Sequence, residues 1–124
     1  MSNCDVCIGT YDYDGPEFWK RSAPKARKPH RCCECNREIQ RGETYQLDTG
    51  RWDGHFNAYR TCAQCAEIRE VFTCGGGWLY RGLWEDMEEV FPDLRMAGEC
   101  WDELSAAAKA HLLAKWREWK GLAA

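Results

Sequence analysis

HRCCECNREIQRGETYQLDTGRWDGHFNAYRTCAQC, residues 30–65, decides how this chain folds. Cys32 and Cys35 make one C-x-x-C pair, and Cys62 and Cys65 make a second after an insert of 26 residues. Two such pairs brought together offer four soft, anionic sulfurs, the donor set that suits tetrahedral zinc. Asn36 follows the first pair and tolerates left-handed backbone, so the chain can turn tightly and aim both sulfurs at one point. Ile39-Gln40-Arg41-Gly42 reads as a turn into a strand, and Glu43 to Leu47 alternates polar and apolar residues as a half-buried strand does. Asp53-Gly54 is a tight-turn signal, after which Phe56, Tyr59 and Thr61 favour a returning strand. The second pair opens a helix over Ala63 to Phe72, with Ile68, Val71 and Phe72 at helical spacing. A thiolate at the start of that helix gains from the positive end of its dipole.

Knuckle, hairpin and helix in this order resemble the treble-clef zinc finger over about residues 30–73. In particular ARKPHRCCEC, RGETY, WDG and RTCAQC look like the small zinc proteins encoded by bacteriophages and prophages. The resemblance implies a bacterial cytoplasm and an accessory role, and no defined activity. The expected fold class is α+β: a small zinc-stabilised treble-clef-like core with additional C-terminal helices. One domain is expected over residues 1–124, with the core at 30–73 and a helical part, 83–120, packed on it.

A chain of 124 residues forms one compact unit and buries roughly two thirds of its unfolded surface. The seven Trp supply bulky filling for a small core. Nine Cys is an odd count dominated by C-x-x-C pairs, no apolar run follows Met1, and no stretch approaches the ~20 apolar residues of a membrane span. These features point to a reducing compartment and metal-bound thiolates. The net charge of −3 hides an asymmetry: Lys20 to Arg41 carries eight Lys or Arg against two Glu, while Glu85 to Glu103 carries eight acids against one Arg. The overall charge excludes indiscriminate polyanion binding, yet the basic patch can hold nucleic acid or face the acidic one, within the chain or across a dimer.

A third pair, Cys4 and Cys7, lies in an acidic, aromatic N-terminal stretch that needs an anchor to be ordered. A second metal held by Cys4, Cys7, Cys74 and Cys100 would anchor it, with Cys33 in place of Cys100 as the alternative, and His30 is a further ligand candidate for either site. Free thiols on a tail are the competing account.

Residues 20–31, KRSAPKARKPHR, are broken by Pro24 and Pro29 and read as an extended arm into the first knuckle. Lys25, Arg27, Lys28 and Arg31 are candidates for phosphate or partner contact, against the plainer reading of a solvated linker. Trp52, beside the hairpin turn, either stacks on a partner or caps the core, and the cap is preferred. Asp53, His55 and Asn57 superficially suggest the hairpin of a metal-dependent HNH nuclease, but Gly54 splits the Asp-His pair and no Asn follows Cys65. Further on, Leu83 to Phe91 reads as a short acidic helix ended by Pro92, and Ala106 to Lys120 as a longer one. Ser105, or Asp102, caps the longer helix, Gly121 stops it, and Ala108, Leu112, Trp116 and Trp119 form its apolar stripe.

No residue pattern carries strong catalytic chemistry, and a four-thiolate zinc is closed to substrate. The expectation is therefore a non-enzymatic zinc-binding interaction module, a monomer or homodimer, whose partner is a host protein or a protein–nucleic acid machine, as an inhibitor of host defence or transcription would have. The alternatives are a nucleic-acid-binding finger using residues 20–41 and a degenerate HNH-like nuclease. One zinc is expected, and two are possible.

Overall fold

The computed structural model describes Ile8 and residues 18–73, 80–96 and 98–123. Five strands precede four helices: β1 (Phe18–Ser22), β2 (His30–Arg31), β3 (Glu38–Ile39), β4 (Tyr45–Trp52), β5 (His55–Cys62), α1 (Ala63–Phe72), α2 (Leu83–Val90), α3 (Gly98–Glu103) and α4 (Ala106–Ala123). The protein is thus mixed α and β, with small antiparallel sheets. β2 and β3 form a two-stranded ribbon that brackets the first cysteine pair, and β1, β4 and β5 form a three-stranded sheet in that order.

The β4–β5 hairpin closes on Asp53 and Gly54, both at positive φ (51° and 80°), with Trp52 opposite His55. Two left-handed residues in a two-residue turn match the twist of the flanking strands, as the Asp-Gly pair signals. β4 outruns the alternating stretch read at Glu43 to Leu47, because pairing with β5 carries it on to Trp52. The helix over Ala63 to Phe72 forms as expected.

β1 is a correction. Residues 20–31 were expected as an arm, but Phe18 to Ser22 pair antiparallel with Arg51 to Leu47. The arm beyond is extended, as expected, yet it too is tied down. Ala26 is buried, and backbone bonds join Ala26 N to Glu43 O, Gly42 N to Ala26 O and Tyr45 N to Pro24 O. All five residues of β1 are exposed, so no burial alternation marks it in the sequence. What holds it is the open hydrogen-bonding edge of β4, a feature that exists only once β4 has formed.

Strand pairing sorts side chains onto two faces. Phe18, Lys20, Thr49, Arg51, Phe56, Ala58 and Arg60 share one, and Arg21, Asp48, Trp52 and Tyr59 share the other. Gly50 sits at the tight crossing of β1 and β4. A Cβ there would lie 2.4 Å from Phe18 O and 2.8 Å from Trp19 Cβ. Gly50→Ala is therefore expected to prise β1 off the sheet, at about 1–3 kcal/mol. Hydrogen exchange checks it: amide protection across residues 18–22 should collapse while that of α1 persists.

Ile39, Ile68, Phe72, Leu83, Met87 and Leu112 are fully buried in one continuous core, with Ala108 and Cys100 beside them. Trp116 and Trp119 pack half-buried against it, as the α4 stripe implied. Ser105 is the cap: its Oγ accepts from Ala108 N at 3.2 Å. Gly121 does not stop α4, which runs to Ala123. The preceding α-helix, α2, ends at Val90 with Phe91 as its cap, directly before Pro92, as expected. Short 3-10 turns follow over Phe91–Met96, broken at Asp93 (φ −107°, ψ 18°), and Pro92 is tolerated there because its missing N–H has no intrahelical partner. No helix among the described residues is long and apolar enough to cross a membrane.

Candidate metal centre

The knuckle forms because Asn36 takes φ 62°, letting Asn36 N reach Cys32 O and Cys32 N reach Arg37 O, both at 3.0 Å. This folds Cys32 and Cys35 toward each other. Across from them, Cys62 ends β5 and caps α1, its sulfur accepting from Cys65 N at 3.4 Å, and Cys65 sits in the first turn. The sulfurs of Cys32, Cys35, Cys62 and Cys65 all lie within 4.8 Å of one another. None is in a disulfide.

Their chemistry and spacing fit zinc. A tetrahedron of Zn–S bonds near 2.3 Å puts sulfurs about 3.8 Å apart, and Cys35 Sγ and Cys62 Sγ are 3.9 Å apart. Cys32 is 2 % exposed and Cys62 and Cys65 are fully buried, so solvent cannot satisfy their charge. Instead, N–H groups turn toward the sulfurs. Cys32 Sγ accepts from Glu34 N at 3.4 Å and Cys62 N at 3.3 Å, and Cys65 Sγ accepts from Trp84 Nε1 at 3.4 Å. Such donors stabilise thiolates and orient them, as outer-shell groups do around metals. His111 Nε2 lies 3.3 Å from Cys65 Sγ and donates to it in the Nε2–H tautomer, and burial holds this imidazole below its usual range.

The four thiols cannot ionise independently. Cys32 is held far below the usual thiol range, first by Cys35 and then by Cys62 and Cys65 donating to it, while Cys65 is pushed far above it, first by Cys32. Sulfurs this close share protons unless a divalent cation takes their place, and zinc binding is then coupled to proton release.

Two buried carboxylates brace this centre. The side chain of Glu34, between the knuckle cysteines, is 0 % exposed and accepts from Arg69 Nη2 at 2.7 Å. It also accepts from Arg81 N at 2.9 Å and Leu83 N at 3.0 Å. The cap residue of α2, Gly82, makes no side-chain cap bond, so a carboxylate remote in sequence supplies it. Asp48, 1 % exposed, receives Arg21 at 2.9 and 3.1 Å and Tyr80 Oη at 2.6 Å. Burial first, then the bond to Asp48, raises the Tyr80 phenol. Trp52, Tyr59 and Tyr80 close over this group, the two tyrosines stacked at 3.8 Å.

The remaining site expectations fall as follows. Of the second metal site, Cys4, Cys7 and Cys74 lie outside the described residues. Cys100 is buried on α3 and disulfide-bonded, and a sulfur so bonded has no thiolate to offer. Cys33 turns away from the four-sulfur cluster toward Thr61 Oγ1, 3.5 Å away, and burial pushes its thiol up to about 12. His30 is not a member of the cluster. Its ring packs against Tyr45 at 5.4 Å because the β2–β3 ribbon turns it away from the sulfurs. Lys25, Arg27, Lys28 and Arg31 are exposed, and Arg31 bonds Asn36 O at 2.9 Å. Trp52 packs into the tyrosine group, and Asp53, His55 and Asn57 are exposed around the hairpin tip.

Sequence reasoning missed Glu34, Arg69, Trp84 and His111. His111 did carry a signal, lying three residues after Ala108 and next to Leu112 on the apolar stripe. Glu34 carried none, since a carboxylate between two cysteines reads as solvent-facing.

Fold and site together define a small mixed α and β protein built on a four-cysteine cluster that fits zinc. No protein-family profile, no curated protein and no solved structure matches the chain.

Proposed function

We propose that this protein is a non-enzymatic binding module whose treble-clef-like core is held by one zinc ion. The observation that carries the reading is the closed sulfur set: four cysteines within 4.8 Å of one another, three of them buried, leave tetrahedral zinc no open position for substrate. The metal then folds the chain and the surface does the work. Its partner is a protein or protein–nucleic acid assembly of a bacterial host. The likeness of ARKPHRCCEC, RGETY, WDG and RTCAQC to small phage and prophage zinc proteins supports an accessory role of that kind, such as inhibition of host defence or transcription.

Capture from bacterial lysate on the zinc-loaded chain, with and without nuclease treatment, tests this. A partner retained by the loaded chain and lost with Cys65→Ser supports the module. The same proteins captured equally by the unfolded variant would sink it. A second reading, nucleic-acid binding through residues 20–41, is favoured by the exposure of Lys25, Arg27, Lys28 and Arg31. It requires salt-sensitive retention on nucleic acid that falls when Lys25, Arg27 and Lys28 are changed to Ala.

A further inference from the structure

We infer that the cleft along the outer edge of β5 is a phosphate-binding site for single-stranded nucleic acid, whose bases continue onto the sheet face carrying Phe56 and Phe18. The inference deepens the reading of the chain as a binding module and rests on it, but it names a site other than the basic arm.

The cleft, of ≈ 520 Å³, is lined by His30, Arg31, Asn36, Tyr59, Arg60 and Arg81 among others, and among the described residues no Asp or Glu lines it. In a chain with 20 acids and 17 Lys or Arg, three arginines around an acid-free cleft reverse the overall charge locally. Glu34 lies close in sequence but turns inward, occupied by Arg69 and by the N–H groups of Arg81 and Leu83. Arg60 Nε is shut off from water with no hydrogen-bond partner. Arg60 as a whole is only partly buried and lines the cleft.

One strained residue lies here too, Arg81. Among the described residues three non-glycines have positive φ, and of these Asn36 (62°, which asparagine adopts readily) and Arg81 (70°) line the cleft. Arg81 has no local side-chain reason to adopt that conformation; its N–H is pinned by Glu34, which presents the guanidinium at the cleft. The arginines are not needed to satisfy the cysteine sulfurs, whose hydrogen bonds come from backbone N–H groups, Trp84 and His111.

The sheet face beside the cleft selects the ligand. Ala58 and Arg60 line the cleft, and Phe56 is the next residue toward the hairpin tip on the same face of β5. Phe56 is 71 % and Phe18 53 % exposed, edge to face at 5.5 Å, with Arg51 over the Phe56 ring at 5.7 Å. Lys20 shares this face, and no acidic residue of the three strands does. Phosphate donors running into exposed rings on a cationic face are the elements that hold unpaired bases and their backbone. A duplex would keep its bases from the rings.

The test is fluorescence anisotropy of the zinc-loaded full chain with labelled single-stranded DNA and RNA of about 12 nucleotides. Arg81→Gly is the decisive variant, because glycine accepts the positive φ and the fold should keep or raise its Tm. Expected results are salt-sensitive binding, a salt slope reduced by about one in Arg81→Gly, and roughly tenfold weaker binding in Phe56→Ala. The Lys25, Arg27 and Lys28 triple variant should keep most of the affinity. Parental affinity in both Arg81→Gly and Phe56→Ala overturns the inference, as does inorganic phosphate or mononucleotide binding with none to oligonucleotides. Abolished binding in the triple variant alone overturns it while sparing the reading of the arm. No binding in any chain that still captures a lysate protein overturns it while sparing the module.

Discussion

Native mass spectrometry of the purified chain will record a zinc ion that Cys32→Ser or Cys65→Ser removes, and stripping that ion with a chelator will unfold the core. The expected size follows from comparing two magnitudes. A structural zinc contributes apparent binding energy of about 10–16 kcal/mol at neutral pH. The whole stability of a domain is only about 5–15 kcal/mol. Loss of the metal therefore removes an amount comparable to everything else holding the fold. The geometry makes the dependence direct, since the four cysteines join the knuckle, the end of β5 and the start of α1, and Cys32, Cys62 and Cys65 lie in the core itself. Without a cation these sulfurs must share protons at close quarters, so the metal-free core is under-satisfied as well as unstapled. Far-ultraviolet circular dichroism and near-ultraviolet Trp signals should be lost together on chelation and recover on adding zinc. A chain that keeps both signals with no bound metal would remove the basis of the proposed function.

Glu34→Gln will be the most damaging single change outside the cysteines. It removes the charge facing Arg69, whose side chain is 5 % exposed, and breaking such a pair from one side costs about 3–5 kcal/mol. It also weakens the acceptor of Arg81 N and Leu83 N, and with it the anchorage of α2 to the knuckle. Denaturant or thermal unfolding measures the effect, as a Tm drop on the order of 10–20 °C. Arg69→Met alone strands the carboxylate, so the double variant should lose less than the two single losses combined. A change below about 1 kcal/mol in Glu34→Gln would mean that water reaches this pair.

These two predictions differ in how far the residues alone could have led to them. The four-cysteine cluster was legible because its signal is local: C-x-x-C pairs, an Asn that tolerates positive φ, Asp-Gly at the turn and an amphipathic run after Cys62 each act within a few residues. The N-cap Ser105 and the stripe of α4 were legible for the same reason. β1 was not, since an all-exposed strand owes its existence to the edge of another strand. Nor was the cleft: His30, Arg60 and Arg81 lie far apart in the chain, and their meeting depends on how the knuckle, β5 and the start of α2 dock.

Read as a string, then, this protein already specified the donor atoms, the turns and the helices next to them, because short-range sterics and hydrogen bonding decide those. Only the folded chain decided which charges are buried and which face outward. Glu34 and Asp48 became internal anchors, and the arginines lining the β5 cleft were left together without an acid among the described residues. A side chain's surroundings come from residues distant in sequence, and its dielectric and partners are set only when those arrive.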